Sequence, residues 1–182
     1  MVPTLVRALG IKGERLMVGT NDNKDSTYLF GAMNVVDGVL TTRQLPLPRR
    51  KGQRVGAIKT KLLQATFVKH LDAIARRYPS SQHPRVITIV DNAPWHGGQP
   101  VRDALRRHKH LELYRLPSYS PQLNPIERFW KLLRRRATHN RHFEQLPTLR
   151  RSISRSIQYY QTMRHRTVTL VANPFGTESL VT

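Results

Sequence analysis

The chain contains no cysteine, which excludes disulfide bonds and thiolate metal sites. Long apolar runs are missing too. The N-terminal MVPTLVRALGIKGER holds no apolar signal-peptide core, and no segment approaches the ~20 apolar residues of a membrane helix. Histidine-based zinc chemistry finds little support, because there is no HExxH motif. We therefore expect a soluble, cytoplasmic protein without a membrane partner.

Acidic residues are scarce as well. The 182 residues carry 31 Lys and Arg against 11 Asp and Glu, which gives a net charge of +20. Such an excess indicates a polyanionic partner, because each neutralised phosphate releases condensed counterions. A solvated basic surface or a ribosome-like structural role is the alternative, and it is less favoured. The length suits one domain with a real core.

Periodicity and turn residues predict an α/β domain with a mixed sheet. The predicted strands are 16–18, 27–36, 39–44, 85–91 and 111–114, and the predicted helices are 58–78, 99–108, 124–137 and 146–163. The strands 27–36 and 39–44 form a hairpin, since Asp37-Gly38 between apolar runs is typical of a type I′ turn. Asp37 is then a turn residue. One domain is predicted over residues 1–163, followed by a loosely structured tail over 164–182.

Three local patterns refine this prediction. The run VITIV before Asp91 is almost continuously apolar, which favours burial in the middle of a sheet. Asn124 is predicted to cap helix 124–137, and Pro125 suits its first position. Helix 58–78 has apolar residues at near-helical spacing, which we assign to the core: Ile58, Leu62, Phe67, Leu71, Ile74 and Tyr78.

Two carboxylates lie on separate rigid elements. Asp91 follows the apolar strand, and Glu127 lies in the first turn of helix 124–137. Such a pair suits Mg²⁺, which takes hard oxygen ligands and uses one or two carboxylates. Local sequence leaves alternatives open. Asp91 is also typical of an Asx-turn, with both interpretations evenly balanced, while Asn124 and Glu127 resemble a capping box, which is locally the favoured role.

Two longer blocks carry a resemblance to a known family: Asp91 to His96, with the sequence DNAPWH, and Leu116 to Trp130, with LPSYSPQLNPIERFW. They resemble the C-terminal half of the catalytic domain of bacterial insertion-sequence transposases in the mariner-like superfamily, the DDE superfamily endonucleases. Weaker similarity extends back to about Arg7 and fades beyond about Met163. The resemblance implies that Asp91 is the second catalytic acid and metal ligand of the family, and Glu127 the third.

The resemblance also implies a fold and a reaction. The fold is ribonuclease-H-like, an α/β mixed sheet with flanking helices. Two Mg²⁺ (or Mn²⁺) ions held by the acids serve in-line attack at DNA phosphodiesters, first in strand cleavage and then in strand transfer. The implied partner is double-stranded DNA, both the transposon ends and the target. Enzymes of this type generally act as dimers on paired ends, so a homodimer is expected from the resemblance.

The family's first acid has no counterpart that we can find in the chain. The remaining candidates, Glu14, Asp22 and Asp25, lie in loop-like sequence. By position, the missing Asp and its strand fall upstream of Met1, so we expect an N-terminally truncated chain that also lacks the family's helix-turn-helix. That strand is central in the family's sheet. We therefore expect a hole in the sheet, a marginal fold, and no activity of the chain alone.

Further site residues are expected around the two acids. Asn92, His96 and Asn124 are site neighbours. His96 is a candidate to orient a water or contact a phosphate, with packing near the strand end the somewhat favoured role, and the asparagines are candidates for hydrogen bonds to the carboxylates or DNA. Basic residues on or just after the helix of Glu127 are candidates for DNA contacts, with a solvated face as the alternative: Lys131, Arg134, Arg135, Arg136 and Arg141.

Three functional hypotheses follow. The leading one is the C-terminal part of a DDE transposase catalytic domain. The second is a non-catalytic basic DNA-binding remnant of a transposase. The third is another nuclease of the same fold, such as a junction resolvase, and the block PSYSPQLNPIE argues against it.

Overall fold

The structure, a computed structural model, describes residues 26–47, 56–118, 120 and 123–172. Within these residues the strands are β1 Ser26–Met33, β2 Leu40–Leu47, β3 Val86–Val90 and β4 Leu111–Arg115. The helices are α1 Gly56–Arg77, α2 Gln99–Arg107, α3 Pro125–Ala137, α4 Leu146–Thr162 and α5 Arg164–Ala172, with a short 3₁₀ turn at Pro94–His96. The expectations for the strand 16–18 and for Glu14, Asp22 and Asp25 lie outside the described residues. None of the described helices is long and apolar enough to cross a bilayer.

The described strands form two separate pairs. β1 pairs with β2 antiparallel, and β3 pairs with β4 in parallel. The α/β class with mixed strand pairing is therefore confirmed, although these four strands do not join in one sheet. A cavity of about 570 Å³, here called the inter-sheet cavity, lies between β1 and β3 and is lined by consecutive residues of both strands. Within the described part of the chain, no strand lies between them, and the expected hole in the sheet stays a prediction.

The loop between β1 and β2 differs from the predicted type I′ turn. Residues 34–39 form the loop, and Val36, predicted within the strand, is 86% exposed. Gly38 has a positive φ of 71°, but Asp37 does not, so the two positive angles of a type I′ turn are not present. Asp37 Oδ1 instead accepts the Val39 N–H (2.8 Å) in an Asx-turn. Asp37 is thus a turn residue as predicted, but its side-chain hydrogen bond, and not a positive φ, forms the turn.

Alternating side chains of β1 face two apolar clusters. Phe30 belongs to a buried cluster with Phe67 of α1, whereas Leu29 and Met33 pack against a second cluster built around Phe129 of α3. The strand is therefore covered by α1 on one face and by α3 and α4 on the other.

β3 is less covered than its apolar run predicts. Val90 is 5% exposed, but Ile87 and Ile89 are 55% and 47% exposed. These two side chains share one face of the strand and line the inter-sheet cavity. β3 is thus buried on one face only within the described residues.

Residues 164–172 differ from the predicted loose tail, because they form α5. Thr167 and Val171 of this helix are 1% and 0% exposed. Val171 belongs to the cluster of Phe129, and Arg128 Nη1 donates to the Val171 carbonyl oxygen (2.9 Å). Tertiary packing holds the helix, and its weak apolar periodicity does not reveal it.

Candidate metal centre

Asp91 directly follows β3, and its side chain is 55% exposed. Its Oδ1 accepts the backbone N–H of Ala93 (2.9 Å), so the Asx-turn considered from the sequence does form. The same oxygen lies 2.7 Å from His96 Nδ1. Because two donors occupy Oδ1, Oδ2 is the oxygen of Asp91 that remains for a ligand.

His96 packs beside Asp91 with only 14% of its side chain exposed. Its ring centroid lies 4.3 Å from that of Phe67 on α1. Burial lowers the pKa of His96 below its ordinary value, although the nearby Asp91 carboxylate acts in the opposite direction. The imidazole is therefore neutral at pH 7. Because a carboxylate only accepts, the short contact is a hydrogen bond from Nδ1–H to Asp91 and not an ion pair.

Glu127 lies in the first turn of α3, and Pro125 occupies the first position as predicted. Asn124 takes the N-cap position, but its side chain makes no capping hydrogen bond. The Glu127 N–H donates to the Asn124 backbone oxygen (3.0 Å) in a 3₁₀-type bond between residues three positions apart. The predicted capping chemistry is therefore absent from this helix start. Asn124, 7% exposed, lines a cavity together with Glu127.

Asp91 and Glu127 meet at one cavity of about 320 Å³, here called the acidic cavity. Its other lining residues are Asn92, Leu116, Pro117, Ser118, Ser120 and Asn124. Two carboxylates among amide and hydroxyl oxygens form a hard donor set, which suits Mg²⁺ or Mn²⁺. The described residues contain no cluster of three or more His, Asp or Glu. The donors present therefore fit a divalent cation that completes its shell with water or phosphate oxygens.

Hydrogen bonds tie together the two loops that line the acidic cavity. The Leu116 N–H donates to the Val90 carbonyl oxygen (2.9 Å), and Asn92 Nδ2 donates to the Leu116 carbonyl oxygen (2.8 Å). Arg115 Nη2 donates to the His96 carbonyl oxygen (2.7 Å). Asn92, predicted as a site neighbour, thus lines the cavity and also fixes the distance between the segments after β3 and β4.

Three basic residues of α3 lie on the same side of the helix as Glu127. At 3.6 residues per turn, positions i, i+4 and i+7 nearly align, which places Lys131 and Arg134 in line with Glu127 and Arg135 next to them. All three basic side chains are exposed. We call Lys131, Arg134 and Arg135 the basic stripe. It extends the acidic cavity along the helix.

The other two predicted DNA-binding residues are placed differently. The Arg136 guanidinium lies 3.5 Å from the ring centroid of Tyr159 on α4, on the side of α3 opposite Glu127. Arg141 follows the end of α3, with Nη1 3.5 Å from Ser152 Oγ of α4. Both side chains therefore contact α4.

Sequence reasoning did not single out His70 of α1. This residue is 3% exposed and lines the inter-sheet cavity, and neither ring nitrogen has a hydrogen-bond partner among the described residues. Burial, with smaller effects of Arg43 and His96, lowers the pKa of His70 to about 4. No local signal marks it, because a histidine on an apolar helical stripe has the pattern of a core residue. Ser118 and Ser120 were also missed, although they lie within the block that carries the family resemblance.

The fold and the paired acids together describe an α/β domain with an acidic site at the carboxyl end of a strand. A family model described as DDE superfamily endonuclease matches residues 45–150, and the chain belongs to this family. An uncharacterized protein of Sinorhizobium fredii, y4pE/y4sA, is 32% identical over 95 residues, 52% of this chain and 66% of that protein. The Tcb2 transposase of Caenorhabditis briggsae is 37% identical over 73 residues, 37% of this chain and 26% of that protein.

Solved structures of the Mos1 mariner transposase share the fold. The Mos1 paired end complex with Mn superposes with a TM-score of 0.58 at 20% identity, covering 97% of this chain and 53% of that one. The Mos1 catalytic domain gives 0.50 at 19% identity, covering 82% and 79%. At these identities the likeness establishes the fold. The chain spans only part of its curated relatives, 66% and 26% of their lengths.

Proposed function

We propose that the chain is the part of a transposase catalytic domain that binds a divalent metal and lies along DNA. Asp91 and Glu127 are the metal ligands. A bound divalent cation supplies charge stabilisation at a phosphodiester and lowers the pKa of an attacking water. The residues of the chain place the two carboxylates and align the DNA backbone. The observation that carries the proposal is that both acids, from β3 and α3, line the acidic cavity.

Similar proteins support the transposase assignment. Tcb2 is a transposase, and the Mos1 structures include a paired end complex with Mn and a strand transfer complex. The reaction proposed here is accordingly cleavage of DNA and joining of its ends. Self-association on paired ends remains a prediction, which sedimentation of the chain with and without DNA measures.

DNA is the proposed partner because the chain has a large positive charge and because basic side chains lie next to the acidic cavity. The net charge is +20, and the basic stripe continues from the helical face that carries Glu127. Contacts from such side chains go to phosphates, so they position a duplex without selecting its sequence. A backbone held along this stripe passes the acidic cavity at the first turn of α3.

Cleavage by the chain alone is proposed to be absent. Two metals that clamp the attacking and leaving oxygens need more than two carboxylate anchors, and the described residues supply only Asp91 and Glu127 to the acidic cavity. Metal binding is therefore the primary test of the site, and cleavage is the secondary one.

The test is a Mn²⁺ titration followed by the electron paramagnetic resonance signal of free Mn²⁺. We expect Asp91→Asn and Glu127→Gln each to weaken Mn²⁺ binding by about tenfold or more, because each removes one of two anionic ligands. Glu112→Gln is the matched control, since this β4 carboxylate pairs with Arg85 (2.8 Å) away from the acidic cavity. Equal Mn²⁺ affinity in all four proteins contradicts the site.

The second candidate function is DNA binding without catalysis, and the two-carboxylate site together with the charge favours it for the chain alone. Plasmid nicking in Mg²⁺ or Mn²⁺ separates the two. Metal-dependent nicking that Asp91→Asn abolishes supports the endonuclease and contradicts the proposed inactivity. DNA binding by wild type and Asp91→Asn alike, without nicking, supports the binding function.

A further inference from the structure

Where α3 packs against β1, the strand has one residue without a side chain, Gly31. The β1 face toward α3 consists of Leu29, Gly31 and Met33, by the period of two along a strand. Leu29 and Met33 pack against the cluster of Phe129, while Gly31 leaves a gap between them. A side chain of α3 can therefore approach the backbone of β1 at this point.

Trp130 fills that gap. A Cβ atom built on Gly31 would lie 2.9 Å from Trp130 Cζ2 and closer still to Cη2. Both atoms belong to the six-membered ring of the indole, which is rigid and in van der Waals contact with the strand. Alanine at position 31 requires the indole, or the helix that carries it, to move away from β1. The buried ring of Phe129, 0% exposed, lies 5.4 Å from the indole of Trp130 between centroids.

Trp130 shares a helical face with Glu127, since the two residues are three positions apart. Three residues are less than one turn, so a displacement of α3 at Trp130 is transmitted to Glu127 almost rigidly. Asp91, in contrast, is held by β3, by the Ala93 N–H and by His96, none of which belongs to α3. Movement of α3 against β1 therefore changes the spacing of the two carboxylates.

We propose that Gly31 is a positioning residue of the metal site. Its missing side chain lets Trp130 lie on the backbone of β1, and this contact sets the distance at which Glu127 faces Asp91 across the acidic cavity. The proposal rests on the proposed function for its consequence at the metal, but not for the geometry itself. Residues that position a ligand contribute about 10–100-fold to metal affinity in proteins.

The test is a cycle of four proteins: wild type, Gly31→Ala, Trp130→Phe, and the double variant. Gly31→Ala is expected to weaken Mn²⁺ binding by about tenfold. Trp130→Phe removes the distal ring that meets the new methyl group, so the double variant is expected to bind Mn²⁺ as Trp130→Phe does. Wild-type affinity in Gly31→Ala, or a double variant that binds Mn²⁺ more weakly than Trp130→Phe, overturns the proposal. Circular dichroism at the assay temperature verifies folding.

Two further experiments cover the cases in which Gly31→Ala does not fold or wild type binds no Mn²⁺. If Gly31→Ala does not fold, alanine is tested only in the Trp130→Phe background, where a tenfold loss of Mn²⁺ affinity overturns the proposal. If wild type binds no Mn²⁺ through Asp91 and Glu127, the proposed function fails. A distance measurement then tests the positioning role of Gly31 on its own. The chain has no cysteine, so spin labels at Lys109→Cys and Arg135→Cys report the distance from the start of β4 to α3. Gly31→Ala should shift that distance, whereas adding Gly31→Ala to Trp130→Phe should not; an unchanged distance in Gly31→Ala overturns the inference.

Discussion

At the scale of the residue, His70 makes stability depend on pH. Its pKa is lowered from 6.5 to about 4 by burial, so the folded chain holds it neutral while the unfolded chain protonates it below pH 6.5. The stabilising effect of the neutral state is complete above pH 6.5 and is lost as the pH falls toward 4. We expect the free energy of unfolding to drop by about 2 kcal/mol between pH 7 and pH 5, measured by urea denaturation.

The control for this prediction is His70→Leu. Leucine suits the apolar stripe of α1 and removes two ring nitrogens that have no hydrogen-bond partner among the described residues. The variant should be at least as stable as wild type at pH 7, because an unsatisfied buried polar group costs about 1–3 kcal/mol. It should also lose most of the pH dependence. Arg43 and His96 face the site and remain in both proteins, so an unchanged pH dependence contradicts the assignment to His70.

His96 provides a second prediction at this scale. Its Nδ1–H fixes Asp91 Oδ1, so His96→Ala should weaken Mn²⁺ binding by about tenfold through lost orientation of the carboxylate. Asparagine carries an amide nitrogen near the position of Nδ1, and His96→Asn should recover most of the affinity. A purely packing role against Phe67 predicts instead that Asn is as harmful as Ala. The Mn²⁺ titration distinguishes these outcomes.

The sequence predicted the strand before Asp91 and the helix start at Glu127 better than the contacts of these residues. The Asx-turn and the ligand role of Asp91 were treated as alternatives, yet the turn uses Oδ1 and leaves Oδ2. At Asn124 the position of the cap was right, but its chemistry was not. Periodicity and turn propensity describe backbone conformation. They do not specify which oxygen of a side chain a neighbouring segment occupies.

At the scale of the element, helices and strands were predicted within a few residues, but faces and loops less well. On α1 the periodicity predicts Leu62 in the core, whereas Leu63 is 1% exposed and Leu62 is 43% exposed. Apolar residues at both positions leave the angle of the stripe ambiguous until α2 and β1 cover one side. α5 has little periodicity at all, and its contacts with α3 and α4 stabilise it. Such features depend on partners that lie far away in sequence.

The two sides of α3 lead to a prediction about its arginines. Arg136→Ala should lower stability by about 0.5–1 kcal/mol through loss of the stacking on Tyr159, with little effect on DNA affinity. Arg134→Ala, on the side of Glu127, should weaken DNA binding and reduce the salt slope by about 1, with little effect on stability. Thermal melts and salt-dependent DNA titrations of the same two variants provide reciprocal controls. If Arg134→Ala and Arg136→Ala lose DNA affinity equally, the two sides of α3 do not differ in DNA binding and the prediction is wrong.

At the scale of the whole molecule, the inter-sheet cavity is the dominant feature. β1 and β3 each pair on one side only within the described residues, and the cavity between them adjoins the acidic cavity, since Asp91 and Glu127 line both. The family resemblance implies a central strand that the chain lacks, which no periodicity within the chain indicates, and this absence stays a prediction. Stability and site geometry are coupled here, because β3, which has one edge without a partner among the described residues, ends next to Asp91.

The open cavity predicts a marginal fold. Among the described residues, one edge of β1 and one edge of β3 have no partner strand, and Ile87 and Ile89 are exposed. The purified chain should therefore bind 1-anilinonaphthalene-8-sulfonate and unfold over a broad thermal transition. Ile89→Ser should reduce the dye fluorescence, whereas Leu170→Ser, on an equally exposed side chain of α5, should not. A sharp, cooperative melt without dye binding would mean that the inter-sheet cavity is closed in solution. Asp91 and Glu127, which line this cavity, would then be held as firmly as carboxylates at the end of a complete sheet.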